Sequence, residues 1–447
     1  MSSQTSRRTF LKMAGLSGLG TFLAACGTTA PQATTAPQAT TAQQVAPTSA
    51  PSTGNVTLEF WTFNDYAVGV PLEIFNGFIS KFQDANPGIK VNLTGKPGSD
   101  ILANVITGAG SGDLPDAMQI QLGAGGDLIA VNALQDMEPY WATMTTDYQG
   151  QFNKGALTPC IQNGKVYGLP FSAYAVILFR NLKVLKKAGI DPTLGVKDWA
   201  DYADQLAKVD KAGLKGTGKL LGDYWNQMHF YGGQPGTTQS TISADGKSTD
   251  LKADPYAATF DYLLKIKPYC IGSFQFDAAT SDLFTTDQLA FCSMGPWLGP
   301  TLDAAKLKNG LEWDVIEVPG QTADKKGTMR GGEFTGMTSL HHKDETWKFI
   351  QFISDYPQEG TWAAKIGRLM ANDKAVAQPD AMNNALLQVT AKAFNTAVDE
   401  TLFMKKVATG WSQPESDFGT QVGTGAMKPA DAAPKMIDAI NKILSAA

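Results

Sequence analysis

Cysteine is scarce in this chain, four in 447 residues, and histidine scarcer still, at three. No two cysteines stand in C-x-x-C spacing, so the usual thiol frameworks for zinc and redox exchange are missing. Neither G-x-S-x-G nor H-E-x-x-H occurs, which removes the familiar serine-hydrolase and zinc-protease signatures. Gly213–Leu220 (GLKGTGKL) has the skeleton of a phosphate loop, but Leu220 stands where Ser or Thr must hold the metal. His341–Glu345 (HHKDE) reads as polar capping at a strand-to-helix turn rather than as a metal set. Neither a metal nor a cofactor is expected. The net charge of −5 speaks against nucleic acid as a partner. Cys160, Cys270 and Cys292 read as buried small residues, with Cys270–Cys292 the pairing to test for a disulfide.

Charge is also absent from Gly27 to Asn55, a Thr/Ala/Pro/Gln tract in which TTAPQA occurs twice, at Thr28–Ala33 and Thr34–Ala39. So little apolar surface cannot offset chain entropy, and residues 27–54 read as a disordered tether. As a coil of roughly 5–6 Å × √n it reaches on the order of 30 Å. Before it, Ser6–Lys12 (SRRTFLK) matches the twin-arginine export pattern, and Leu23-Ala24-Ala25-Cys26 matches a lipobox. Met13–Ala25 is too short and too diluted with glycine to span a bilayer. Residues 1–26 are thus expected to be a signal ending at a lipidated Cys26, which fastens the mature chain to the outer face of a membrane.

From Val56 onward the chain is long enough for two lobes, and its 43% hydrophobic and 18% charged residues suit a globular body. Val56, Leu58 and Phe60 alternate as a strand does. Leu72, Phe75, Phe78, Ile79 and Phe82 then share one helix face, and Asn86-Pro87-Gly88 ends it. Ile89, Val91 and Leu93 alternate again, and this strand–helix–strand crossover implies a parallel sheet. Helices are expected near Asp100–Thr107, over DWADYADQLAKV (from Asp198), DETWKFIQFISDY (from Asp344) and APKMIDAINKILSAA (from Ala433). Strands are expected in PDAMQIQL, KVYGLPFSAYAVILFRN, LAFCSMGPW and GGEFTGMTSL. The class is α/β.

The ordered set NPGIKV, GDLPDAMQI, NALQDMEPY, NGKVYGLPF, NLKVLKKAGIDP, DWADYADQLAKV, AFCSMGPW and DETWKFIQFIS resembles the family 1 extracellular solute-binding proteins of bacterial ABC sugar importers. The resemblance implies a two-lobed periplasmic-binding-protein-like fold of type II, with hinge strands between the lobes and the ligand cleft there. Its lobes would be 55–172 with 331–385 and 173–330 with 386–447, the first crossing lying near Phe171–Ala175. It also implies a carbohydrate ligand, an oligosaccharide by preference, and ABC permease subunits as partners of a monomeric receptor. The chain departs from the family at Phe179-Arg180-Asn181, where Tyr-Asn is usual, and at Met370, where Pro is frequent. Both departures bear on the ligand rather than on the fold.

A neutral polyol is read by flat aromatic faces and by amides or carboxylates. Trp297, after Gly295-Pro296, matches the position that stacks on sugar in the family. Trp61 ends the first strand ahead of Asn64 and Asp65, Trp225 lies in GDYWNQMHFYGG, and Trp411 opens GWSQPESDF. Gln119 and Gln121 alternate along a strand that runs into glycines, and Tyr174 takes the family's cleft position. Gly332 and Glu333 follow Gly331, where glycine would let backbone approach a ligand. Trp199 and Trp347 belong to the core by helix periodicity. The competing readings are a receptor for polyamine, iron or peptide, and a secreted hydrolase using Asp65 and Glu333 as its acid and base.

Overall fold

The computed structural model describes residues 55–446 apart from 153, 219–220, 223, 244, 272–277, 339, 400–409 and 411. The signal, the tether, Cys26 and Trp411 therefore lie outside the described residues. The expected crossover is present. β1 (Val56–Phe63) leads through a helix at Gly69–Ala85 to β2 (Ile89–Lys96), which lies parallel to it. That helix buries Phe75, Phe78, Ile79 and Phe82 and stops at Asn86; Gly88 then turns the chain at φ +98°, a left-handed conformation that glycine adopts without strain. A helix at Gly98–Ser111 then leads into β3 (Ala117–Gln121), parallel to β1 on its other side.

A two-residue hairpin, β4 (Ile161–Gln162) and β5 (Lys165–Val166), precedes β6 (Leu169–Ala175) and β7 (Ile177–Asn181). Only Val176 separates the last two, yet they belong to different sheets. β8 (Phe291–Met294) and β9 (Trp313–Ile316) flank β7 in an antiparallel three-stranded sheet. β10 (Met329–Met337) enters the large sheet between β3 and β6, antiparallel to both. β11 (Leu369–Met370) pairs with the outer edge of β6, and β12 (Val398–Asp399) with the start of β10. The large sheet has seven strands, in the order β11-β6-β10-β3-β1-β2 with β12 beside β10.

The buried apolar residues form separate clusters. One joins the large sheet to its helices through Phe60, Phe75, Phe171, Phe349 and Trp362. A second gathers Trp199, Tyr202, Leu206, Phe260, Phe291 and Met436 around the helices at Trp199–Lys211, Ala253–Ile266 and Pro429–Ser445. A third holds Ile177, Phe179, Leu289, Cys292 and Leu302. Between the first cluster and the others, three pieces of chain run side by side. Val176 N–H donates to Met329 carbonyl, and the Thr328 hydroxyl donates to Val176 carbonyl. Arg330 pairs with Asp399 at 2.6 Å and donates to Phe394 carbonyl at 3.0 Å. The architecture is α/β, with a large mixed sheet, a three-stranded antiparallel sheet and helices packed on both.

Cys160, Cys270 and Cys292 are free thiols, which corrects the Cys270–Cys292 pairing. Cys270 follows a 3-10 turn and donates to Ile266 carbonyl, while Cys292 is enclosed in β8. Arg180, one of the departures from the family pattern, is built into the scaffold. Its guanidinium is 4% exposed, pairs with Asp314, and donates to the carbonyls of Leu194 and Pro192. The other departure, Met370, is buried in β11.

Candidate functional site

Three aromatic residues from distant parts of the sequence meet. Tyr174 comes from the end of β6, Trp225 from a helix at Tyr224–Tyr231, and Trp297 from a 3-10 turn at Pro296–Leu298 that follows β8. The Tyr174 and Trp297 rings stand edge to face, 5.2 Å apart and perpendicular. Trp225 lies 6.1 Å from Tyr174 and 5.9 Å from Trp297. Gly295 is what lets the turn fold this way. A Cβ placed there would fall 1.9 Å from Cζ3 of the Trp297 ring, so the indole lies back over its own turn.

Beneath these rings sits Arg368, which sequence reasoning did not single out. Gly367, at φ +75°, ends the helix at Tyr356–Ile366 and sends the next residue inward. The Arg368 guanidinium carbon lies 4.7 Å from the Trp297 ring, 4.7 Å from Tyr66 and 5.7 Å from Tyr174. Such cation–π contacts gain strength when desolvated, and Arg368 is 3% exposed. Its charge is met by Glu333 on β10, also 3% exposed, through an ion pair at 2.5 Å. Glu333 accepts further bonds from Tyr66 hydroxyl at 2.9 Å and Ser172 hydroxyl at 2.8 Å. Arg368 also donates to Ser172 at 3.3 Å, whereas its Nε is buried and has no hydrogen-bond partner among the described residues. Burial pushes the guanidinium down to about 10, against the upward pull of the Asp65 carboxylate, so it remains a cation at neutral pH.

The other expected residues take varied places. Asn64 and Asp65 are exposed in the turn at Asn64–Tyr66, directly before the Tyr66 that reaches Glu333. Trp61 is half-buried, packed on the first cluster, and its ring carries Lys96 Nζ at 4.3 Å. Gln121 is half-buried at the end of β3, opposite Glu333 in the sheet register. Gln119 is fully enclosed, with Thr62 hydroxyl donating to it at 2.7 Å. Gly332 lies within β10 rather than in an entry turn; a Cβ there would meet Leu122 at 2.7 Å, so its smallness serves packing. Trp199 and Trp347 are core residues, 5% and 4% exposed. Among the described residues no three metal-ligating side chains cluster.

The arrangement brings the half-buried rings of Trp225 and Trp297 beside the buried Tyr174, with the exposed Asp65 carboxylate acting on Arg368. Both oxygens of Glu333 are engaged, by Tyr66, Ser172 and Arg368, while Asp65 is exposed. No helix among the described residues is long and apolar enough to cross a membrane.

Residues 77–389 match the family described as bacterial extracellular solute-binding protein. The arabinooligosaccharide-binding protein of Bacillus subtilis is 29% identical over 180 residues, which is 39% of this chain and 38% of that relative. The sn-glycerol-3-phosphate-binding periplasmic protein UgpB of Escherichia coli K12 is 21% identical over 335 residues, 70% of this chain and 74% of that one. In structure, the GacH receptor of Streptomyces glaucescens, crystallised unliganded and with acarbose, superimposes with a TM-score of 0.76. It is 18% identical, and the match covers 87% of this chain and 98% of that one. Both the family and this structural neighbour are binding proteins.

Proposed function

The chain belongs to the bacterial extracellular solute-binding proteins, and on that premise we propose that it is the receptor of an ABC importer that captures an oligosaccharide and hands it to the membrane permease. Its lobes are 55–172 with 331–385 and 173–330 with 386–447, and closure turns on the three strands of chain that lie together at Val176, Thr328–Arg330 and Phe394–Asp399. The side-by-side hydrogen bonds and separate cores support this division. Cys26 carries the lipid that retains the receptor at the outer face of the membrane after twin-arginine export.

One observation carries the ligand class. Tyr174, Trp225 and Trp297 meet from three segments over a buried Arg368–Glu333 pair. Aromatic faces suit the C–H surfaces of a sugar, and the polar groups at their margin suit its hydroxyls. The test is thermal unfolding of the mature protein against arabinotriose, maltotriose, acarbose, spermidine and ferric citrate. The expected result is a rise in melting temperature with a neutral oligosaccharide. At 100 times the dissociation constant this corresponds to about 2.7 kcal/mol of added stability. A rise with spermidine or ferric citrate and none with any sugar would overturn it.

A further inference from the structure

We infer that Arg368 touches the ligand: the Nε–Nη2 edge of its buried guanidinium donates to two adjacent hydroxyl oxygens of an uncharged sugar ring. The inference rests on the carbohydrate-receptor reading and deepens it.

Arg180, Arg330 and Arg368 are the arginines of the chain from Val56 on. The first two are committed to the scaffold. Nε of Arg180 donates to Asp314 at 2.7 Å, and Nε of Arg330 donates to Asp399 at 2.6 Å. Arg368 differs. Its hydrogen bonds to the described residues all leave from Nη1, to Glu333 at 2.5 Å and to Ser172 at 3.3 Å. Its Nε is enclosed and has no partner among the described residues, and the whole residue is 3% exposed. A buried donor left unmet costs stability, and a native fold rarely tolerates one without a use for it.

A guanidinium is planar and trigonal, so its Nε–Nη2 edge is directed away from Nη1 and carries two parallel N–H bonds. Glu333 holds the opposite end and is itself held by the hydroxyls of Tyr66 at 2.9 Å and Ser172 at 2.8 Å. The edge is therefore set before a ligand arrives, and little ordering entropy remains to be lost. Trp297 and Tyr66 each lie 4.7 Å from the guanidinium carbon, and Tyr174 lies 5.7 Å from it. Trp297 reaches it from the turn after β8, beside the third core, so parting of the lobes uncovers the edge. A sugar that enters among these rings brings its rim of hydroxyls to the two N–H donors.

Two parallel donors match two oxygens on neighbouring atoms, as in a vicinal diol or a carboxylate. The diol is the better match here. The Glu333 carboxylate already meets the charge of the guanidinium, and the Asp65 carboxylate acts on it as well. The free edge then needs acceptors rather than a counter-charge.

The experiment measures binding of arabinotriose, maltotriose and trigalacturonate by calorimetry, and then of every singly deoxygenated analogue of the tighter neutral sugar. The proteins are wild type and Arg368→Lys, which keeps a cation for Glu333 and removes the planar edge. Wild type should lose at least ~10-fold when either of two adjacent hydroxyls is removed. Arg368→Lys should bind the parent sugar at least ~10-fold more weakly and no longer distinguish those two analogues from it. Parent and analogues weakened alike, with the discrimination kept, would show a structural role and overturn the inference. Should Arg368→Lys fail to fold, the Nε–H resonances of wild type carrying isotopically labelled arginine decide the matter, with Arg180→Lys and Arg330→Lys assigning the other two. Added sugar should shift the Arg368 signal and slow its exchange with water; an unmoved signal would overturn the inference. Trigalacturonate bound more tightly than both neutral sugars would overturn the diol and leave a sugar receptor standing. Binding of none of the three would overturn the carbohydrate reading, and this inference with it.

Discussion

The guanidinium of Arg368 lies 4.7 Å over the ring of Trp297, and the residues that flank the two belong to different cores. Arg368 stands between Ile366 and Leu369 of the first cluster, while Trp297 precedes Leu298 of the third. A ligand that stacks on that face of the indole takes the place of the cation. Sugar binding on that face would therefore be an exchange of partners, in which a sugar face must outdo the cation–π contact.

Replacing Trp297 with Ala should weaken oligosaccharide binding by roughly one to two powers of ten. Aromatic stacking contributes about 0.5–1.5 kcal/mol beyond the buried area, and each tenfold is about 1.4 kcal/mol. Titration calorimetry on a protein with unchanged circular dichroism measures this. Unchanged affinity would move the cleft elsewhere.

Gly295→Ala tests the turn rather than the ring. The added Cβ would sit 1.9 Å from Trp297 Cζ3, so the indole must swing away. The backbone there is at φ −74°, open to any residue, so the fold should survive. Affinity should fall about tenfold, with a shift in tryptophan emission in the ligand-free protein. A variant that keeps both would show that the ring's position does not matter.

His229 gives a pH signature. It is 1% exposed, neither ring nitrogen has a partner among the described residues, and burial pulls it from 6.5 down to about 3. The unfolded chain therefore binds a proton that the folded one refuses between those values. The stability this residue contributes is complete above pH 6.5 and is lost as pH falls toward 3, at up to about 1.4 kcal/mol per pH unit. His229→Leu should flatten that slope relative to wild type in urea melts from pH 7 to 4. Parallel slopes would mean that the folded protein protonates His229.

Closure should be visible in solution. Saturating ligand should reduce the radius of gyration measured by small-angle scattering, since both lobes contact one ligand. Arg330→Gln, which breaks the 2.6 Å pair with Asp399 at the chain crossing, should change the ligand-free value more than the bound one. No compaction with bound sugar would count against a hinge there.

Cys26→Ser should release the protein from membrane fractions without altering sugar affinity. Retention equal to wild type would remove the lipid anchor from the account.

Much of the fold was legible because its signals are local. Val56, Leu58 and Phe60 alternate and are buried on one side of β1, and Phe75, Phe78 and Phe82 repeat at helical spacing and face the core. The turn that carries Trp297 was legible for a similar reason, since Gly295-Pro296 displays it in the sequence. Arg368 was not, because what makes it part of the site is distant. Its carboxylate partner is 35 residues away, and Tyr66 meets that carboxylate across 267. Only the Gly367-Arg368 pair after an apolar helix hinted at a side chain sent inward. Gln119 shows the opposite limit: alternation suggests that one face of a strand is open, but in β3 residues Ala117 to Ile120 are all buried.

The position of β10 has a consequence for how the chain is made. Met329–Met337 fills the gap between β3 and β6, so these two strands share no neighbour until it arrives. A nascent chain that has emerged only as far as β9 leaves β6 open on both edges and β3 open on one, and holds Ser172 and Tyr66 without Glu333. Folding of the large sheet must wait for distant contacts, which makes it slow and exposes strand edges meanwhile. The order of synthesis thus withholds the site's central carboxylate until three-quarters of the polypeptide exists, and truncation before Met329 should leave no stable half.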